Sequence, residues 1–99
     1  MALDVRWTIE AEQSFEKIVK YIDEEWTFRE VQSYVIKVNQ LIESIRLYPY
    51  QYRKLSKYNI RIAVIGKHNS LIYRVNESDE IIELLVFWNH RNNPKRMKY

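Results

Sequence analysis

Cysteine is missing from this chain of 99 residues, and glycine occurs once, as Gly66. Without cysteine there are no disulfides and no thiolate metal sites, a composition suited to a reducing compartment. With one glycine the chain cannot build the phosphate-cradling loops of nucleotide or dinucleotide sites, which need several for close backbone approach. The two histidines, His68 and His90, are far apart, and there is no His-Glu-x-x-His helix, acidic calcium loop or nucleophile elbow. Neither a metal nor a cofactor is expected. No apolar run reaches membrane-spanning length, and Met1-Ala2-Leu3-Asp4 lacks the basic-then-apolar layout of a signal peptide. The expected setting is the cytoplasm, with no membrane partner.

What is present suits one domain spanning residues 1–99. A composition 46% hydrophobic and 29% charged lies outside the disordered range, and the length leaves no room for a second core. The net charge of +3 conceals an asymmetry. Residues 1–45 carry nine acids and five bases, a net of −4, whereas residues 46–99 carry eleven bases and four acids, a net of +7. Such a bias either solvates a surface or marks a basic face for nucleic acid or an acidic protein.

Leu3, Val5 and Trp7 alternate with polar neighbours, the signature of a short strand. Thr8 is placed to cap a helix whose first turn carries Glu10 and Glu12, on the side where the helix dipole favours negative charge. Ala11, Phe15, Ile18, Ile22 and Trp26 form one stripe, predicting a helix over about residues 9–25. Val31, Val35, Val38, Ile42 and Ile45 form a second, over about 28–47. The short joint at Trp26-Thr27-Phe28 predicts an antiparallel helical hairpin. The carboxylates of Asp23-Glu24-Glu25 read as a solvated helix end. Pro49 ends the second helix and opens the least periodic stretch, "YPYQYRKLSKYN".

From there the period is two. Ile60, Ile62 and Val64 alternate with Arg61, Ala63 and Ile65, and a two-residue turn is expected at Gly66-Lys67. Leu71, Tyr73 and Val75 form the next strand, Asn76 to Asp79 the next turn. Ile81 to Trp88, apolar on both faces except for Glu83, is predicted to lie inside the sheet. The expected fold is α+β, ordered β-αα-βββ, an antiparallel-rich sheet with the hairpin on one face. If Ile60, Ile62 and Val64 cover the helices together with Leu71, Tyr73 and Val75, then Arg61 and Arg74 share the open face.

That order, with "LIYRV" and a final hydrophobic strand followed by Arg91 and Pro94, resembles the RelE/ParE superfamily of type II toxin–antitoxin toxins, the plasmid stabilisation proteins. The resemblance covers essentially the whole chain. It implies a growth-inhibiting toxin neutralised by a cognate antitoxin, in a toxin–antitoxin hetero-oligomer. ParE-type members poison DNA gyrase and RelE-type members cut mRNA in the ribosome as endoribonucleases; some relatives have no known toxicity and only bind an antitoxin. The long hairpin resembles ParE. The tail resembles that of the RelE-type nucleases, Arg91 matching their catalytic arginine, but departs from it in the direction of ParE, because Met97 stands six residues beyond Arg91 where those nucleases place a tyrosine.

Under the nuclease alternative the catalytic candidates are Arg61, Arg74, His90 and Arg91, since cleavage by a 2′-hydroxyl needs acid–base groups and cations around the transition state. Target contacts are expected from Arg53, Lys54, Lys57, Arg61, Arg74, Arg91, Lys95 and Arg96, and antitoxin contacts from Trp88 and Arg91. Asn89 to Lys98 is expected to emerge from the sheet's rim as a basic surface.

Overall fold

The computed structural model describes residues 2–55, 57–67, 69–91 and 94–99. His68, and Asn92 and Asn93 of the tail, lie outside the described residues. In order come β1 (Asp4–Trp7), α1 (Ile9–Glu25), α2 (Phe28–Leu47), β2 (Arg53–Lys54), β3 (Ile60–Val64), β4 (Asn69–Asn76) and β5 (Ile81–Asn89), followed by a 3-10 turn over Pro94–Arg96. The sheet runs β1-β5-β4-β3-β2. β1 lies parallel to β5, and the other pairs are antiparallel. The expected α+β order holds, with β5 interior as its two-sided apolar character requires. The aperiodic tyrosine-rich stretch adds the two-residue edge strand β2.

Thr8 joins strand to helix. Its hydroxyl oxygen accepts the Ala11 N–H at 3.1 Å, capping α1, and its O–H donates to Leu84 O at 2.7 Å. The cap therefore also fixes where α1 leaves the sheet. α1 and α2 bury Ala11, Tyr34, Val38 and Ile45 against Ala63, Ile65, Leu71, Tyr73, Ile82, Leu84 and Phe87, with Trp7, Phe15, Ile18 and Ile22 packed alongside. Each large side chain buried there contributes about 1.5–3 kcal/mol before ordering entropy is charged against it. The first stripe ends at Ile22. Trp26 sits at the hairpin tip, 62% exposed, because the chain has already left helical geometry there.

The assignment of faces is corrected. Ile65 N–H bonds to Asn69 O at 3.1 Å, so the β3–β4 connection is one residue longer than a two-residue turn. Arg61 lies opposite Tyr73, and Ile60 opposite Arg74. Directly opposed residues share a face, and a one-residue slip in register turns every side chain over. Ala63, Ile65 and Arg61 therefore share the helix-covered side with Tyr73, whereas Ile60 and Ile72 take the other side with Arg74. Gly66, relieved of the tight turn, does not use a positive φ.

The second face is not bare. Ile60, Ile72 and Val86 are buried there under Leu55, Leu85, Trp88, Met97 and Tyr99. A bulge in the β4–β5 ladder, where Ile72 faces Val86 but Tyr73 faces Leu84, makes room for the extra Leu85. The tail returns across this face. Tyr99 donates its hydroxyl to Glu10 Oε2 at 3.1 Å, and Lys98 Nζ lies 3.0 Å from the same oxygen.

Candidate functional site

The charged residues flagged in the sequence fall into separate settings. On the second face, Glu83 of β5 lies between Arg6 of β1 and Arg74 of β4, its direct neighbours in register. Arg74 Nε donates to Glu83 Oε1 at 2.8 Å, Arg74 also reaches that oxygen through its terminal nitrogen, and Arg6 pairs with Oε2. Glu83 is 4% exposed, while both arginines remain partly in solvent. Burial alone pushes the carboxyl up. The hydrogen bond and charge of Arg74, joined by those of Arg6, outweigh it and hold Glu83 below the usual carboxylate range. Arg6 and Glu83 escaped sequence reasoning, although a lone acid in an apolar interior strand was a visible signal that a cation must meet it.

Arg61 is turned to the helix side, so the expected pairing of Arg61 with Arg74 on one open face does not occur. Its guanidinium donates to Tyr52 O at 2.9 Å and Tyr50 O at 3.3 Å and stacks 5.0 Å from the Tyr50 ring centre. Tyr73, beside it, donates to Pro49 O at 2.6 Å, and burial pushes its phenol up. Together they pin the carbonyls of the loop leaving α2. That loop leads to Arg53 and Lys54, both exposed on edge strand β2; Lys57 follows in the β2–β3 turn, 5.7 Å from the Tyr58 ring centre.

His90 holds the rim. Its Nδ1 is 3.1 Å from Lys67 O, which can only accept, so Nδ1 carries a proton, and Nε2 shares a hydrogen bond with Ser70 Oγ at 2.7 Å. Both nitrogens are engaged. Arg91, next in the chain, is exposed; its backbone N–H bonds Asn89 Oδ1 at 2.9 Å. Lys95 and Arg96 are exposed in the 3-10 turn.

Arg91 borders an open groove of about 860 Å³ between the helical hairpin and the β4–β5 rim. Ile18, Ile22, Tyr34, Phe87 and Trp88 provide apolar lining, Tyr21 and Trp26 flank it, and Lys17, Lys37, Lys67 and Arg91 outnumber Glu10 and Glu30. Such a trough is shaped for an apolar-faced helix or strand bearing acids. Trp88 and Arg91, the two residues named from the sequence as antitoxin contacts, both line this groove. Lys17 and Lys37 were missed because each looks like ordinary helix solvation until the two helices and the sheet rim converge. Among the described residues there is no group of three His, Asp or Glu side chains able to hold a metal, and no helix is long and apolar enough to cross a membrane.

A family model described as the ParE toxin of type II toxin–antitoxin systems, parDE, matches residues 5–94. Among curated protein sequences there is no match. Solved structures similar to the chain include a chromosomal ParDE toxin–antitoxin system from Pseudomonas aeruginosa (P. aeruginosa), with TM-score 0.74 and 14% identity over 89% of this chain and 96% of that one. Also similar are the RelBE2 toxin–antitoxin complex from Mycobacterium tuberculosis, with TM-score 0.63 and 17% identity over 92% and 100%, and a YoeB/ParE toxin from Agrobacterium tumefaciens, with TM-score 0.63 and 18% identity over 89% and 99%.

Proposed function

Because the chain belongs to the ParE toxin family of type II toxin–antitoxin systems, we propose that it arrests growth in the cytoplasm by binding DNA gyrase, and that a cognate antitoxin silences it by laying an acidic, apolar-faced segment in the groove. The groove carries the second half of this reading: an apolar trough beside four cations is complementary to a segment that folds on binding. Shared use of Arg91 by target and antitoxin supplies neutralisation by occlusion.

Binding without chemistry is favoured over mRNA cleavage by the arrangement of the titratable groups. Glu83 has both oxygens committed to arginines, His90 has both ring nitrogens engaged, and Arg61 faces away from Arg74. A general acid and base converging on one phosphate are not assembled among the described residues.

Induced expression should stop growth, and co-expression of a cognate antitoxin should restore it. Purified chain should block gyrase supercoiling while primer extension finds intact cellular mRNA; cleaved mRNA with unimpaired supercoiling would reverse the assignment in favour of the endoribonuclease. Unaltered growth would leave only an antitoxin-binding relative. Arg91→Ala should keep the melting temperature, since the side chain is exposed, and weaken toxicity at least about tenfold, the worth of one desolvated charged contact.

A further inference from the structure

Helix α2 has three sides. One is buried in the core through Tyr34, Val38 and Ile45. A second lines the groove through Glu30, Ser33 and Lys37. The third carries Arg29, Gln32, Ile36, Gln40, Glu43 and Leu47, every one exposed. Their spacing of three, four, four, three and four follows an eleven-residue repeat, the seam spacing of two nearly straight helices rather than of a heptad coil. Ile36 is 56% exposed at its middle, Leu47 50% exposed at its end, and Phe28, 68% exposed, flanks its start.

We propose that this stripe pairs with the same stripe of a second copy, antiparallel, about a two-fold axis at Ile36. The order of residue types is self-complementary about that point. With Ile36 against Ile36, Gln32 meets Gln40, whose amides pair as donor and acceptor, and Arg29 meets Glu43. Leu47 of each copy reaches the partner's hairpin tip, where Phe28 stands exposed. Arg29 has no ion-pair partner among the described residues, and Glu43 is held by Arg46 of its own helix through Oε2 alone, at 2.8 Å, so its Oε1 is open to Arg29 of the second copy. In the reverse, parallel arrangement Arg29 and Glu43 would each face their own like charge. Seam spacing of this kind gives a shallow crossing with axes about 8–10 Å apart, close enough for the isoleucines to touch. A single helix pair of this length belongs to the transient size class, so association is concentration-dependent. The groove lies on another side of α2, and a dimer would present two grooves outward, each free for its own partner.

The absence of cysteine makes the test specific. On mild oxidation, Ile36→Cys full-length protein should form cross-linked dimer roughly tenfold faster than Glu12→Cys, an exposed control on α1, because association concentrates the thiols. In sedimentation equilibrium the natural chain should show reversible dimerisation. Ile36→Glu, which places two carboxylates on the axis, should weaken it at least about tenfold. Arg29→Glu should weaken it as well, and Arg29→Glu with Glu43→Arg should restore it, so the proposal stays decidable if Ile36→Glu disturbs folding. A chain that remains monomeric at the highest soluble concentration, a dimer indifferent to these changes, or equal cross-linking of the two cysteine variants would overturn it.

Discussion

Glu83 shows how one buried carboxylate organises its neighbours. It satisfies a charge in each adjacent strand and fixes the lateral register β1-β5-β4 at one row. Removing one member of a fully buried ion pair costs about 3–5 kcal/mol. Arg6 and Arg74 are partly solvated and can turn to water, so Glu83→Gln should cost less, about 1–3 kcal/mol at pH 7, read from urea melts. The pH dependence has a definite sign. A carboxyl whose folded pKa is depressed contributes its full stability above the ordinary value near 4.5 and loses it as pH falls towards the depressed value. The gap between the natural chain and Glu83→Gln should therefore be constant at neutral pH and shrink on acidification below about 4.5; a gap that persists at the acid end would show that Glu83 acts by packing alone.

At the scale of elements, the tail is structural. Chain ends fray unless something holds them. Here Met97 and Tyr99 rest on a second apolar cluster, and Glu10 receives both Tyr99 and Lys98. The basic residues Lys95 and Arg96 thus ride on an anchored segment. Truncation after Arg96 should uncover Ile60, Ile72 and Val86, lower stability by about 2–4 kcal/mol, and increase binding of a hydrophobic dye. The measurement is a denaturant melt alongside dye fluorescence; unchanged values in both would mean the tail only solvates. Thr8 is the corresponding joint at the other end of the chain, and Thr8→Ala should cost about 1–2 kcal/mol because it loses the α1 cap and the bond to Leu84 together.

Over the whole molecule, the −4 and +7 halves are not two separate poles. The groove draws Lys17 and Lys37 from the acidic half and Lys67 and Arg91 from the basic half. With the antitoxin seated in this groove as proposed, its association should slow as salt rises, since rim charges act mainly on encounter. Lys37→Glu should reduce its rate of association several-fold, about tenfold at low salt, with the effect fading at high ionic strength. Stopped-flow fluorescence of Trp26, exposed beside the groove, reads both. A salt-independent rate would remove the cationic rim from the neutralisation step.

The amino-acid sequence determined the helical hairpin, the antiparallel run of β3, β4 and β5, and the interior position of β5. These rest on periodicity and short connections, which act between residues near one another in the chain. Tertiary structure alone decided which face each arginine occupies. That followed from one extra residue in the connection after Ile65, a length that alternation cannot reveal because either register keeps the strands equally regular. It also decided the parallel pairing of β1 with β5 and the Arg6–Glu83 contact, which join residues 77 apart through contacts formed only once the chain has collapsed. The groove belongs to the same class: its cations come from two helices and a rim, and packing brought them together.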